Sequence, residues 1–108
     1  LGNGYIYLLE CVSDWETTYK IGYTRNKDIK KRIKGLQTGN KDRISCVELF
    51  YSKHGRKIET SLHNLYSHKR MVGEWFSLEL FDVANFQMSC EKLEENFNML
   101  EEYDNPFL

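Results

Sequence analysis

Gly4-Tyr5-Ile6-Tyr7-Leu8-Leu9 and, after a polar turn, Tyr19-Lys20-Ile21-Gly22-Tyr23-Thr24 are the strings on which the reading of this chain turns. Both are rich in aromatic and branched residues, and Ser13-Asp14-Trp15-Glu16 between them has the polarity of a hairpin loop. The pair therefore predicts two antiparallel strands. Alternation sorts their side chains: Tyr5 and Tyr7 share one face, Ile6 and Leu8 the other, and Lys20 can lie across from the tyrosines. Phenols facing an amine are poorly explained by core packing alone.

Outward from this hairpin, Asn26 can cap a helix over 27–37, in which Ile29, Ile33 and Leu36 form an apolar stripe. Lys30, Lys31, Arg32 and Lys34 occupy its other faces. Gly39 and Asn40 end the helix, and Ile44 to Tyr51 reads as a third strand. A second helix is predicted over 55–68, with Ile58, Leu62 and Leu65 as its apolar stripe and Glu59, His63 and Tyr66 beside them. Gly73-Glu74-Trp75-Phe76 reads as a turn leading into a short strand or aromatic anchor. The acidic tail from Leu80 to Tyr103 predicts a helix, broken near Asn85 and stopped by Asn105-Pro106. The expected fold is α/β in the α+β sense: a small, mostly antiparallel three-stranded sheet flanked by helices. One domain is expected over 1–108, with a core at about 4–78 and a C-terminal helical extension at about 79–104.

A chain of 108 residues can bury one core without disulfides or a structural metal. No apolar run approaches the ~18–20 residues that a membrane span requires. No signal-peptide pattern precedes Gly4, and three widely spaced cysteines, Cys11, Cys46 and Cys90, suit a reducing compartment. Cytoplasm, nucleus or a viral factory is therefore the expected setting, not secretion. Neither Cys-x-x-Cys nor His-x-x-x-His occurs, which argues against a structural zinc site.

The net charge of −1 conceals a strong asymmetry. Residues 18–70 hold 14 Lys or Arg against 4 Asp or Glu, whereas the remainder holds 1 against 12. A basic segment inside an acidic chain is what contact with a polyanion needs, although it also describes a lysine-rich solvated surface.

In order and spacing these features resemble the GIY-YIG nuclease superfamily, most of all its viral and bacterial branch whose second motif reads Lys-Ile-Gly. Ile6-Tyr7 stands as the Ile-Tyr pair of the first motif and Tyr19-Lys20-Ile21-Gly22 as the second. The likeness covers about residues 4–78. Tyr5 intervenes between Gly4 and Ile6, and no downstream asparagine clearly matches the one some members use.

The resemblance implies a metal-dependent DNA endonuclease. Tyr7, or Tyr5 in its stead, would be the general base or position the attacking water. An ordinary phenol has a pKa near ~10, so a base role needs nearby positive charge, which Lys20 could offer. Tyr23 could share the tyrosine role. Arg32, in the Lys-Lys-Arg run, matches the superfamily arginine, whose planar guanidinium can hold two phosphate oxygens. Glu59 matches the acidic residue that holds one Mg2+ (or Mn2+), and it is one of few carboxylates in the basic segment. Lys30, Lys31 and Lys34 would track the phosphate backbone, and His63 could orient the metal's surroundings or touch DNA. Duplex DNA is the expected partner. No separate recognition motif is visible, so sequence specificity would require another domain or partner. The rival reading is a noncatalytic nucleic-acid-binding or interaction module on the same fold.

Overall fold

The computed structural model describes residues 2–104, so the predicted stop at Asn105-Pro106 lies outside the described residues. Strand β1 (Gly4–Val12) turns through Ser13, whose Oγ accepts from Glu16 N at 3.1 Å, into β2 (Thr17–Thr24). Helix α1 (Lys30–Gln37), β3 (Arg43–Ser52) and α2 (Gly55–Leu65) follow, then a 3-10 turn at Ser67–Lys69. The chain continues through β4 (Trp75–Phe76), α3 (Leu80–Ala84) and α4 (Phe86–Asp104). The α+β class is as expected. The sheet, however, has four antiparallel strands in the order β3-β1-β2-β4 rather than three. The fourth strand is the short one that Gly73-Glu74-Trp75-Phe76 suggests, and its pairing with β2 as a member of the sheet is the new feature. It forms because Gly73, at φ 72°, turns the chain back so that Trp75 meets Lys20 and Phe76 meets Tyr19.

Both faces of the sheet are covered. Ile6, Leu8, Tyr19 and Ile21 pack against Ile58, Leu62 and Tyr66 of α2 and its C-terminal end, together with Phe86 and Cys90 of α4. On the opposite face Tyr7, Leu9 and Cys11 pack with Ile44 and Ile29, and Ile33 and Leu36 of α1 close over them. Among the described residues no helix is long and apolar enough to cross a membrane, and all three cysteines are free.

Two local expectations are corrected. Helix α1 starts at Lys30, not near 27, because the preceding backbone is engaged otherwise. Thr24 Oγ1 accepts from Asn26 N, Asn26 Oδ1 from Asp28 N, and Asp28 Oδ1 from Lys30 N, each at 3.0–3.1 Å. These side-chain bonds offer the chain turns instead of helix, and Asn26 makes no helix cap. In α2 the buried stripe is Ile58, Leu62 and Tyr66, while Leu65 is 54% exposed. Tyr66 stands just past the last α-helical residue, and its ring joins Ile58 and Leu62 in the core in place of Leu65. The acidic tail breaks at Asn85 as expected, giving α3 and α4 rather than one helix.

Candidate active site

A polar cleft of about 390 Å³ lies at the outer edge of β2, just past the point where β4 stops. It is lined by Tyr7, Lys20, Gly22, Tyr23, Arg32, Leu36, Arg56, Glu59 and Glu74. Four residues read from the sequence as one constellation, Tyr7, Lys20, Arg32 and Glu59, thus converge from β1, β2, α1 and α2.

Tyr7 reaches the cleft because Gly22 has no side chain. The two residues are direct partners across β1 and β2, and a Cβ on Gly22 would collide with Cε1, Cζ and Oη of Tyr7. The glycine of the second string is therefore the seat of the tyrosine of the first. Gly4 does the same for Tyr23: a Cβ there would stand 2.8 Å from Tyr23 Cε1 and 2.7 Å from the Thr24 carbonyl. Tyr23 pairs with Ile6, so it projects from the opposite sheet face, and its hydroxyl donates to the Asn3 carbonyl at 2.8 Å.

Tyr7 is only 2% exposed. Burial pushes its phenol above the ordinary value; the Arg32 charge opposes this, and Glu59 and Glu74 reinforce it. The positive charge that acts most strongly on Tyr7 is Arg32. Lys20 sits on the same face, opposite Leu9, but its ammonium is paired with Glu74 at 2.7 Å and lies 5.9 Å from the centre of the Trp75 ring.

Arg32 is exposed on α1, and the helix is fixed to β3 by Gln37. That side chain donates to the Asn40 and Asp42 carbonyls and accepts from Ile44 N. Beside the cleft a groove of about 440 Å³, which includes Thr24, Asn26, Asp28 and Lys31, shares Arg32 and Leu36 with it. Lys30 and Lys34 line a separate groove with Ile33 and Gln37, so of the three expected backbone-tracking lysines only Lys31 adjoins the cleft.

Glu59 projects from the second turn of α2 and is half-buried. Burial raises its carboxyl above the usual range, His63 and Arg56 pull it down, and Glu74 raises it again. Among the described residues no ion pair or hydrogen bond occupies this carboxylate. A hard cation that keeps its waters fits one such oxygen donor in a polar cleft. No group of three or more His, Cys, Asp or Glu converges among the described residues, so a multidentate protein cage is not the arrangement present.

Tyr5 and His63 stand apart from these. Tyr5 is on Tyr7's face but does not line the cleft; its ring meets Tyr51 edge-on at 5.0 Å. His63 is engaged inside the protein. Its Nε2 lies 2.7 Å from the Ile21 carbonyl, which can only accept, so Nε2 carries the proton and Nδ1 accepts from Arg70 Nη2 at 3.1 Å. His63 thus satisfies the β2 edge where β4 no longer does, rather than presenting a nitrogen to DNA.

Two cleft residues escaped the sequence reading. Glu74 reaches Lys20 from 54 positions away, a separation no local pattern reveals. Arg56 had a faint signal, one helical turn before Glu59.

Fold and site define a small α+β domain with a cationic and carboxylate-bearing cleft at the open edge of an antiparallel sheet. Residues 4–97 match the family model of the T5orf172 domain, and the chain belongs to that nuclease-related family. No curated protein and no solved structure matches it.

Proposed function

We propose that this domain is a metal-dependent DNA endonuclease of the GIY-YIG type, cutting duplex DNA. The observation that carries the reading is the meeting of Tyr7, Arg32 and Glu59, from three separate elements, in one polar cleft. A core-packing account has no use for a half-buried carboxylate without a protein partner beside two guanidinium groups. Membership of a nuclease-related family supports the class of reaction.

In this reading Arg32 holds the nonbridging oxygens of the scissile phosphate and stabilises the charge that grows on them as water attacks. Tyr7 orients the attacking water through its hydroxyl oxygen and takes up its proton in the phenolate form. Because burial keeps the phenol protonated, that form is a small fraction at neutral pH and grows as pH rises. Glu59 would hold Mg2+ or Mn2+, which when bound supplies charge to stabilise the oxygen leaving phosphorus. Lys20, paired with Glu74, sets the charge of the cleft wall.

The test is incubation of supercoiled plasmid with the protein in magnesium or manganese. Nicking by the wild type, lost in Glu59→Ala and Arg32→Ala, is the expected result. A wild type that retards the plasmid on a gel yet leaves it intact would make the domain a binding module.

A further inference from the structure

Arg56 lines the same cleft as Arg32 but comes from α2. Unlike Arg70, which stacks on Phe76 and also donates to His63, it has an aromatic ring beneath its guanidinium and no hydrogen-bonded protein acceptor among the described residues. Its guanidinium carbon lies 4.6 Å from the centre of the Tyr23 ring. That ring cannot move freely: Gly4 and Gly55 both press against it, with a Cβ on either standing within about 3 Å of Tyr23 Cε1, and its hydroxyl is tied to the Asn3 carbonyl. Arg56 is itself anchored at the first turn of α2, where its backbone N–H donates to the Gly2 carbonyl at 3.2 Å. A guanidinium resting on an aromatic face points its N–H donors outward in its own plane. Among the described residues none of those donors meets a carboxylate or a carbonyl. The result is an oriented set of donors with no hydrogen-bonded protein acceptor, lining a cleft in which Glu59 is the carboxylate that feels their charge.

We propose that Arg56, resting on the fixed ring of Tyr23, is a second anion-binding arm that takes a phosphate of the same nucleic-acid strand flanking the one held by Arg32. The chemistry recognised is a phosphodiester anion. A flanking phosphate is favoured over shared custody of one phosphate because Tyr7 and Tyr23, beside which the two arginines act, belong to opposite faces of the sheet. This role makes Tyr23 a platform rather than a source or sink of protons. The inference rests on the nucleic-acid reading above, and its failure can be told apart from the failure of that reading.

The experiment is equilibrium binding of a fluorescent DNA duplex to Glu59→Gln protein, which blocks cutting, over a series of salt concentrations. Arg56→Gln and Arg56→Lys are each added to that background. Loss of one phosphate contact should lower the slope of log K against log salt by about 0.9 and weaken binding about tenfold for Arg56→Gln. Arg56→Lys should keep most of the slope but recover only part of the affinity, because a lysine neither stacks as a plane nor donates bidentately. Tyr23→Leu, checked for folding by circular dichroism, should weaken binding while changing the slope less than Arg56→Gln does. Equal slope and affinity for Arg56→Gln and its parent would overturn the proposal while leaving the nuclease reading intact. A parent protein that binds no duplex would overturn both.

Discussion

The ring of Tyr7 fills the space above Gly22 that any side chain at position 22 would need. One strand thus delivers a hydroxyl through a vacancy left by its neighbour, and the two strings that decide the fold also build the site. Gly22→Ala should therefore force the Tyr7 ring or the β1–β2 pairing to shift. Overpacking of this kind costs about 1–3 kcal/mol, which for a domain of this size lowers Tm by roughly 4–8 °C per kcal/mol. A thermal melt checks it; an unchanged Tm would mean that the ring steps aside freely.

Glu59 sets stability against function. Its folded pKa is raised mainly by burial, so the native state holds its proton more firmly than the unfolded chain, and stability falls as pH rises from the ordinary carboxylate range through the folded pKa. At neutral pH the carboxylate is therefore a liability. Glu59→Gln should melt higher than wild type at pH 7, with the difference shrinking below about pH 4. Added magnesium should stabilise wild type more than the variant. Melting curves at two pH values, with and without the ion, decide the matter.

Glu74 behaves in the opposite sense. Its carboxyl lies below the usual range chiefly because it accepts a hydrogen bond from Lys20, so this contribution is present above the unfolded pKa and lost as pH falls through the folded one. Glu74 is 61% exposed, so solvent screens the pair and Glu74→Gln should cost under about 1 kcal/mol. The same change frees the Lys20 charge in the cleft. Tighter binding to duplex DNA at low salt is the expected outcome, read by fluorescence anisotropy.

His63 closes the β2 edge, and its removal should be felt in folding first. His63→Ala leaves the Ile21 carbonyl without its donor, a loss of about 1–3 kcal/mol where water cannot replace it. Denaturant titration should show a lower midpoint. A wild-type midpoint together with a reduced DNA salt slope would instead make the histidine a phosphate contact.

Much of this was legible in the sequence because it depended on local periods. The β1–β2 hairpin, the helix carrying Arg32, the helix carrying Glu59 and the break at Asn85 all follow from alternation, helical spacing or a turn residue. The start of α1 was misplaced because three successive side-chain-to-backbone bonds compete with the helix, and their strength does not show in an apolar pattern. Leu65 and Tyr66 exchanged roles because one residue's rotation at the end of α2 decides which of two apolar side chains faces the sheet. In the site, Lys20 lies on the face of Tyr7 and in the same cleft, and its ion pair with Glu74 is what the sequence does not show. The ion pair with Glu74 depends on the short strand β4 pairing with β2, a long-range partnership that no local pattern specifies. Arg56 went unseen for a similar reason, since its orientation comes from a ring on another element.

The pH dependence of cleavage bears on Tyr7. With its phenol pushed above the ordinary value by burial, the basic form increases tenfold per pH unit throughout the neutral and mildly alkaline range. The rate of cutting should climb with pH without levelling below about pH 10, and Tyr7→Phe should remove both the climb and at least about a hundredfold of rate. A plateau near neutrality in wild type would assign the base elsewhere.

The most direct measurement is the single-turnover rate of duplex DNA cleavage in magnesium, with protein in excess so that binding strength drops out. Wild type should cut, and Tyr7→Phe, Arg32→Ala and Glu59→Gln should each slow the step about a hundredfold or more while remaining folded. Cutting by all three at the wild-type rate, or none by a wild type that saturates the duplex, would contradict the assignment of this cleft as a hydrolytic site.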